Sequence, residues 1–220
     1  HGTLNDVFTL AHEMGHSIHT WYSDDNQPYT YAGYKIFVAE VASTCNEALL
    51  IRQLLEKAED KTERAYLLSH FLESFRGTLF RQAMFAEFEK IVHERAATGE
   101  SLTAGALCQI YHKLNEDYFG PEIAVDSQID YEWERIPHFY TPFYVYQYAT
   151  GFSAAVAISS RILKGEPGAL EGYEEFLKGG CAKKPVELLK LAGVDMGSPA
   201  PVEEALKLFE ELLEEFADCL

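Results

Sequence analysis

The sequence is short of basic residues. Only 18 of its 220 residues are Lys or Arg, against 35 Asp or Glu, and the formal net charge is −17 at pH 7. Nucleic acids and anionic membranes are bound by clustered Lys and Arg. The acidic balance therefore argues against both as partners, and it favours solubility because like-charged molecules repel one another.

Cysteines are few and scattered, and long apolar runs are absent. The four cysteines show no Cys-x-x-Cys spacing and no dense framework. The simplest interpretation is reduced thiols in a cytoplasmic protein. No stretch comes near the roughly 18 consecutive apolar residues of a transmembrane helix. The sequence thus predicts neither a disulfide scaffold nor a membrane span.

The most informative pattern present is an H-E-x-x-H motif, HEMGH at residues 12–16. Residues four apart on a helix lie one turn apart on the same face, so His12 and His16 can bind one Zn²⁺. Glu13 lies beside them, where a carboxylate can activate a water molecule for peptide hydrolysis. A helix whose polar side happens to carry two histidines is the alternative, and the motif alone does not exclude it.

A catalytic zinc site needs a third protein ligand and an open position. The metzincin extension of the motif is absent, because His19 occupies the place of its glycine. The other solution is a Glu from a following helix, and Glu40 and Glu47 lie two turns apart on one face of a predicted helix. We predict Glu40 as the ligand and Glu47 as a carboxylate that orients a ligand histidine. A solvated Glu47 is the alternative.

Helical periodicity extends along nearly the whole chain, and glycine or proline marks each break. We expect a mainly α fold: a multi-helix, zincin-like catalytic domain over residues 1–220, with at most a short hairpin near 29–36. Tyrosines alternate with other residues in that segment. Helices are predicted at 37–57, 61–97, 101–118, 141–164, 168–178, 185–192 and 201–217.

The motif and its surroundings resemble the oligoendopeptidase F family, which is related to thimet oligopeptidase. The resemblance is carried by DVFTLAHEMGHSIH at 6–19, FVAEVAS at 37–43, IPHFY at 136–140, YVYQYATG at 144–151 and GVDM at 193–196. It implies a cytoplasmic zinc endopeptidase that hydrolyses oligopeptides in a deep channel. It also implies one Zn²⁺ held by His12, His16 and Glu40, with Glu13 as the general base.

Members of that family are much longer, and their motif lies well into the second half, whereas here it begins at residue 12. We therefore expect the C-terminal catalytic part of a longer peptidase, whose N-terminal part completes the substrate channel. The alternative is a catalytically inactive peptide-binding or scaffold fragment. An intact Glu13 favours catalysis, because a site that only binds peptides has no use for a base.

Peptide hydrolysis also needs hydrogen-bond donors for the oxyanion of the tetrahedral intermediate. A tyrosine cluster follows His138, at positions 140, 144, 146 and 148. If 143–164 is helical, the first, second and fourth of these share one face. The resemblance implies that His138, Tyr144 and Tyr148 contact the substrate and the oxyanion, with Tyr140 and Tyr146 in reserve. The alternative is an amphipathic helix with tyrosines at the edge of a core.

Overall fold

Helices account for the regular structure in a computed structural model that describes residues 2–220, and no β-strand occurs among those residues. The mainly α prediction is confirmed. The α-helices, in chain order, are α1 (Leu4–Asn26), α2 (Tyr29–Ala32), α3 (Ile36–Lys57), α4 (Lys61–Ser74), α5 (Arg81–Ala97), α6 (Ala104–Phe119), α7 (Tyr146–Leu163), α8 (Ala169–Leu177), α9 (Pro185–Leu191) and α10 (Ala200–Cys219). A π-helical segment at Phe75–Phe80 and 3₁₀-helices at Ser127–Arg135 and Pro137–Tyr140 lie between them.

The chain divides into two compact units. The first consists of the residues up to Phe75 together with Thr150–Leu220, and the second is Arg76–Ala149. The interpretation of residues 1–220 as one catalytic domain stays a prediction. Within residues 2–220, none of the helices is both long enough and apolar enough to cross a membrane.

The core of the first unit holds α3 in place. Apolar side chains of α3, α7, α8 and α9 pack together there, and α1 lies against α3 and α8. Burying a Leu or Phe side chain contributes roughly 1.5–3 kcal/mol. Small residues of α7 let helices approach closely at this core. The buried residues of the core are Val38, Val41, Ala42, Cys45, Ala154, Ala155, Ala157, Ile158, Phe176, Leu177, Leu188, Leu189, Ala192 and Val194. The helix that carries Glu40 and Glu47 is therefore anchored in this core.

The second unit is built on α5, α6 and the loop that follows α6. Aromatic rings of α5 and α6 form its core with Ile136 and Val145. Glu132, which is buried, accepts hydrogen bonds from the Tyr111 hydroxyl at 2.6 Å and from Arg81 at 2.5 Å. A buried carboxylate is stable only when it is paired. These contacts therefore fix the Ser127–Arg135 3₁₀-helix on α5 and α6.

A helical turn, α2, occupies the segment where the sequence allows a hairpin. The carbonyl of Pro28 accepts hydrogen bonds from the amides of Tyr31 and Ala32, at 2.8 and 3.1 Å. The carbonyl of Tyr31 in turn accepts from the amide of Cys181 at 2.8 Å. Local and tertiary contacts thus satisfy the backbone groups that a strand would have paired. The alternating tyrosines do not mark one buried face of a strand, since Tyr29 and Tyr31 are both exposed.

Two predicted helices are interrupted. The helix expected at 61–97 is α4, the π-helical segment and α5 in succession. The helix expected at 141–164 begins only at Tyr146, because Phe143 has a φ of +58°, which no α-helix accommodates. The aromatic and aliphatic stripe of the first of these is buried as core, as predicted: Phe71, Phe75, Leu79, Met84, Phe85 and Phe88.

Candidate metal centre

The helix that carries the H-E-x-x-H motif starts with a capping box. The Thr3 hydroxyl accepts the Asp6 amide at 3.3 Å, and the Asp6 carboxylate accepts the Thr3 amide at 2.9 Å. The hydrogen bonds that the Asp6 carboxylate accepts from the Thr3 amide and from the Thr3 hydroxyl hold the pKa of Asp6 below its usual value. A negative charge at a helix N-terminus is also favourable. The start of α1 is thereby defined two turns before His12.

α1 and α3 are in backbone contact at Gly15. A Cβ atom built on Gly15 would lie 2.4 Å from the Cα of Ser43 and 2.7 Å from the carbonyl oxygen of Ala42. No side chain fits at such distances. One turn earlier, the Asn46 amide donates to the carbonyl of Ala11 at 3.0 Å. Glycine inside the motif is therefore what lets the two helices approach closely enough to share a site.

We expect Gly15→Ala to damage both the fold and the site. The added methyl group must push α1 away from α3, and overpacking of this kind costs roughly 1–3 kcal/mol or more. Thermal or urea unfolding, together with zinc affinity, measures the two effects. Gly105→Ala is the matched control, since that helical glycine has open space around it and should tolerate alanine. Wild-type stability and zinc affinity in Gly15→Ala would contradict the close-approach argument.

The predicted zinc ligands come together at this contact. His12 and His16 project from α1, and Glu40 projects from α3. Glu40 Oε2 lies 3.4 Å from His12 Nε2 and 3.6 Å from His16 Nε2. The two imidazole rings are 4.8 Å apart, edge to face. Among residues 2–220, these three side chains form a group that could hold a metal ion, because each offers one ligand atom and these atoms all lie within 4.8 Å of one another.

Zinc is a good match for this donor set. Two imidazole nitrogens and one carboxylate oxygen form a known catalytic zinc set, with metal–ligand distances near 2.0–2.2 Å. Tetrahedral geometry at that length requires ligand atoms roughly 3.4 Å apart, close to the 3.4 and 3.6 Å observed between His12 or His16 and Glu40. The three side chains are 26–28% exposed, so solvent can reach the site.

Two glutamates contact His12, one at each ring nitrogen. Besides Glu40 at Nε2, Glu47 Oε2 lies 3.2 Å from Nδ1. Hydrogen bonding to Glu40 and then to Glu47 raises the pKa of His12 to about 10. The hydrogen bond with His12 in turn lowers the pKa of Glu40. The negative potential that these carboxylates create is what a divalent cation requires.

Three other residues, two on α1 and one on α7, occupy distinct surroundings. Glu13 is exposed on α1, immediately after His12 in the chain. His19 is 1% exposed, stacks on the Tyr34 ring at 3.7 Å, and has a pKa lowered by burial to about 4. His19 is therefore a neutral, packed histidine. Gly151 of α7 lies behind Glu40, where a Cβ would be 3.6 Å from the Glu40 Cβ, an ordinary van der Waals distance, so this position has room for alanine.

The second predicted cluster also assembles, within the second unit. The His138 ring stacks on Tyr144 at 5.7 Å and meets Tyr148 edge to face at 5.9 Å. The Tyr148 hydroxyl lies 3.4 Å from His138 Nε2. Tyr140 is 87% exposed and lies in a 3₁₀-helix. The expectation that three tyrosines share one helix face was wrong, because α7 starts after Tyr144.

Two side chains at the metal centre were not predicted from the sequence. Asn46 joins α3 to the carbonyl of Ala11, and the Ser43 hydroxyl donates to the carbonyl of Glu40 at 3.0 Å and lies 3.4 Å from its Oε2. Both are polar residues within the predicted helix that carries both glutamates. Polar residues on the side of a helix that faces another helix are the signal that could have identified them.

The sequence of this chain is similar to those of known peptidases. The family model described as Peptidase family M3 matches residues 3–208. The chain is 54% identical over 220 residues to oligopeptidase PepF of Bacillus subtilis (strain 168), covering 100% of this chain and 33% of that protein. It is 50% identical over 214 residues to the chromosomal oligoendopeptidase F of Lactococcus lactis subsp. cremoris, covering 97% of this chain and 36% of that protein.

A solved structure shares the fold. The crystal structure of oligoendopeptidase-F from Enterococcus faecium superimposes with a TM-score of 0.88 at 47% sequence identity. The match covers 98% of this chain and 39% of that one. The chain thus spans about a third of the length of the curated relatives named above.

Proposed function

The chain belongs to peptidase family M3, and we propose that it is the zinc-binding catalytic part of an oligoendopeptidase. The observation that carries this proposal is the convergence of His12, His16 and Glu40, with their ligand atoms all within 4.8 Å, beside the carboxylate of Glu13. The names of the relatives, oligopeptidase and oligoendopeptidase, support the substrate class.

Zn²⁺ held by His12, His16 and Glu40 would supply a Lewis acid that polarises the scissile carbonyl and lowers the pKa of a water molecule toward about 7. Glu13 accepts a proton from the attacking water and then delivers it to the leaving amine. Glu47 accepts the Nδ1–H of His12, which fixes the tautomer that leaves Nε2 free as a ligand.

His138, Tyr144 and Tyr148 provide the donors for the oxyanion in this proposal. Phenolic hydroxyls are neutral donors near pH 7, and an imidazole N–H is a second type of donor. Such donors are most valuable where negative charge develops in the transition state. The contacts among the three rings support their acting as one group.

The proposed partners are oligopeptides and the remainder of a longer protein. The relatives are about three times as long as this chain, so a further part completes the substrate channel. Cys45, Cys108, Cys181 and Cys219 are free thiols, which supports a reducing, cytoplasmic location. The competing proposal is an inactive peptide-binding fragment. It rests on the same observation, that this chain spans about a third of the length of these relatives.

Metal analysis tests the proposal. Elemental analysis of the purified chain should give about one zinc per chain, the stoichiometry of a single catalytic site. Chelation should abolish hydrolysis of a quenched fluorescent oligopeptide, and Zn²⁺ should restore it; Co²⁺ or Mn²⁺ fit the same ligands. A folded chain that binds no metal would contradict the proposal. Zinc binding without hydrolysis would favour the inactive fragment.

A further inference from the structure

The backbone immediately before Tyr144 adopts an unusual conformation. Phe143 has a φ of +58°. Among residues 2–220, every other residue with a positive φ is a glycine. Bulky side chains avoid this left-handed region because the Cβ approaches the following carbonyl. Such strained residues persist only where their surroundings hold them, and they concentrate at functional sites.

A buried carboxylate contacts this turn. Glu89 of α5 is 4% exposed, and its Oε1 accepts the amide N–H of Phe143 at 2.5 Å. The Phe143 ring packs on His93, one turn further along α5, with ring centroids 4.8 Å apart. The His93 ring Nδ1 lies 2.8 Å from the carbonyl of Glu89. One helix therefore holds Phe143 by both its amide and its side chain.

We propose that Glu89 is a positioning residue, which holds the left-handed turn at Phe143 and thereby places Tyr144 against His138. This inference rests on the proposed function, in which those two side chains face the oxyanion. It concerns how they are held, and it assigns to Glu89 no contact with the substrate.

The chemistry of the contact favours this role. A hydrogen bond from an amide to a buried carboxylate is charge-assisted and stronger than one between neutral groups. It gives the buried carboxylate a donor, which offsets part of the cost of its burial. Ile136 and Val145, 6% and 1% exposed, anchor the two ends of the segment in the core. Between these anchors, the hydrogen bond from the Phe143 amide to Glu89 fixes the direction of the chain just before Tyr144.

Four variants test the proposal: Glu89→Ala, Glu89→Gln, Phe143→Gly and the double variant Glu89→Ala/Phe143→Gly. Alanine removes the acceptor, whereas glutamine keeps one carbonyl oxygen that can accept the amide. Glycine adopts a positive φ without strain, so Phe143→Gly should relieve the need for Glu89. Glu94→Ala is the matched control, since Glu94 is an exposed carboxylate on the same helix and its ion-pair partner, Lys90, lies on that helix too.

The first readout is the NMR signal of the His138 ring, measured on the chain itself. Stacking on Tyr144 shifts this signal through the ring current. Glu89→Ala should move it toward the position of an unstacked histidine and should speed hydrogen exchange at Phe143. Glu89→Gln should preserve most of the wild-type signal, the double variant should recover part of it, and Glu94→Ala should change nothing. An unchanged His138 signal in folded Glu89→Ala would overturn the proposal.

The second readout is turnover of an oligopeptide. Misplacing a catalytic group by about 1 Å can cost on the order of 100-fold, so Glu89→Ala should lower kcat by roughly 10- to 100-fold with little change in KM. Recovery of turnover in the double variant, relative to Glu89→Ala, separates positioning from loss of packing, because glycine cannot replace lost packing. A displaced His138 signal with wild-type turnover would support the positioning role and contradict the proposed role of Tyr144. A double variant no closer to wild type than Glu89→Ala in either readout would overturn the inference.

Discussion

Glu13→Gln is expected to lower kcat for oligopeptide hydrolysis by roughly 10²- to 10⁴-fold, the range in which a general base contributes. Glutamine keeps the size and shape of the side chain but does not accept a proton. Because Glu13 is exposed and is not among the converging ligand atoms, zinc content should stay at the wild-type value. Steady-state kinetics and elemental analysis of the same preparation measure the two quantities.

The separation of turnover from metal content is what makes this variant informative. Asp25→Asn is the matched control, since it neutralises another exposed carboxylate on α1, three turns further along, and should leave both quantities unchanged. If Glu13→Gln hydrolyses peptides at the wild-type rate, Glu13 is not the base. If it loses zinc as well, the residue supports the metal centre and the loss of turnover says nothing about proton transfer.

Local periodicity explains why much of the metal centre could be predicted. His12 and His16 lie on one face of any helix that contains them, so their pairing needs no knowledge of the fold. The spacing of Glu40 and Glu47 is likewise a property of one helix. That α1 lies against α3 is a tertiary fact, and its physical basis is the backbone contact at Gly15 together with the hydrogen bond from Asn46 to Ala11.

The parts that could not be predicted depend on contacts between residues far apart in the chain. The turn α2 is fixed by Cys181, about 150 residues away, through its hydrogen bond to Tyr31. The start of α7 is displaced by Phe143, whose left-handed backbone is held by Glu89, 54 residues earlier. No period or propensity in the local sequence encodes either contact, since propensity is routinely overridden by tertiary structure.

Glu40→Ala and Glu47→Ala are expected to weaken zinc binding to different extents. Glu47 contacts His12 at Nδ1, on the far side of the ring from the convergence point. Loss of such an orienting carboxylate typically costs about 10- to 100-fold in metal affinity. Glu40 provides one of the three converging oxygen and nitrogen atoms, so its loss leaves two ligands and should cost more than 100-fold. Competition against a fluorescent zinc chelator measures both affinities.

The order of the two losses decides which glutamate is the ligand. Both side chains are carboxylates on α3 and both contact His12, so general electrostatic attraction would weaken by a similar amount in each variant. Glu56→Ala removes an exposed carboxylate from the same helix and gives the size of that general effect. A larger loss for Glu47→Ala than for Glu40→Ala would mean that the two assignments are exchanged. Equal losses, matching that of Glu56→Ala, would mean that neither glutamate binds the metal and that the convergence at Glu40 is an ion pair with His12.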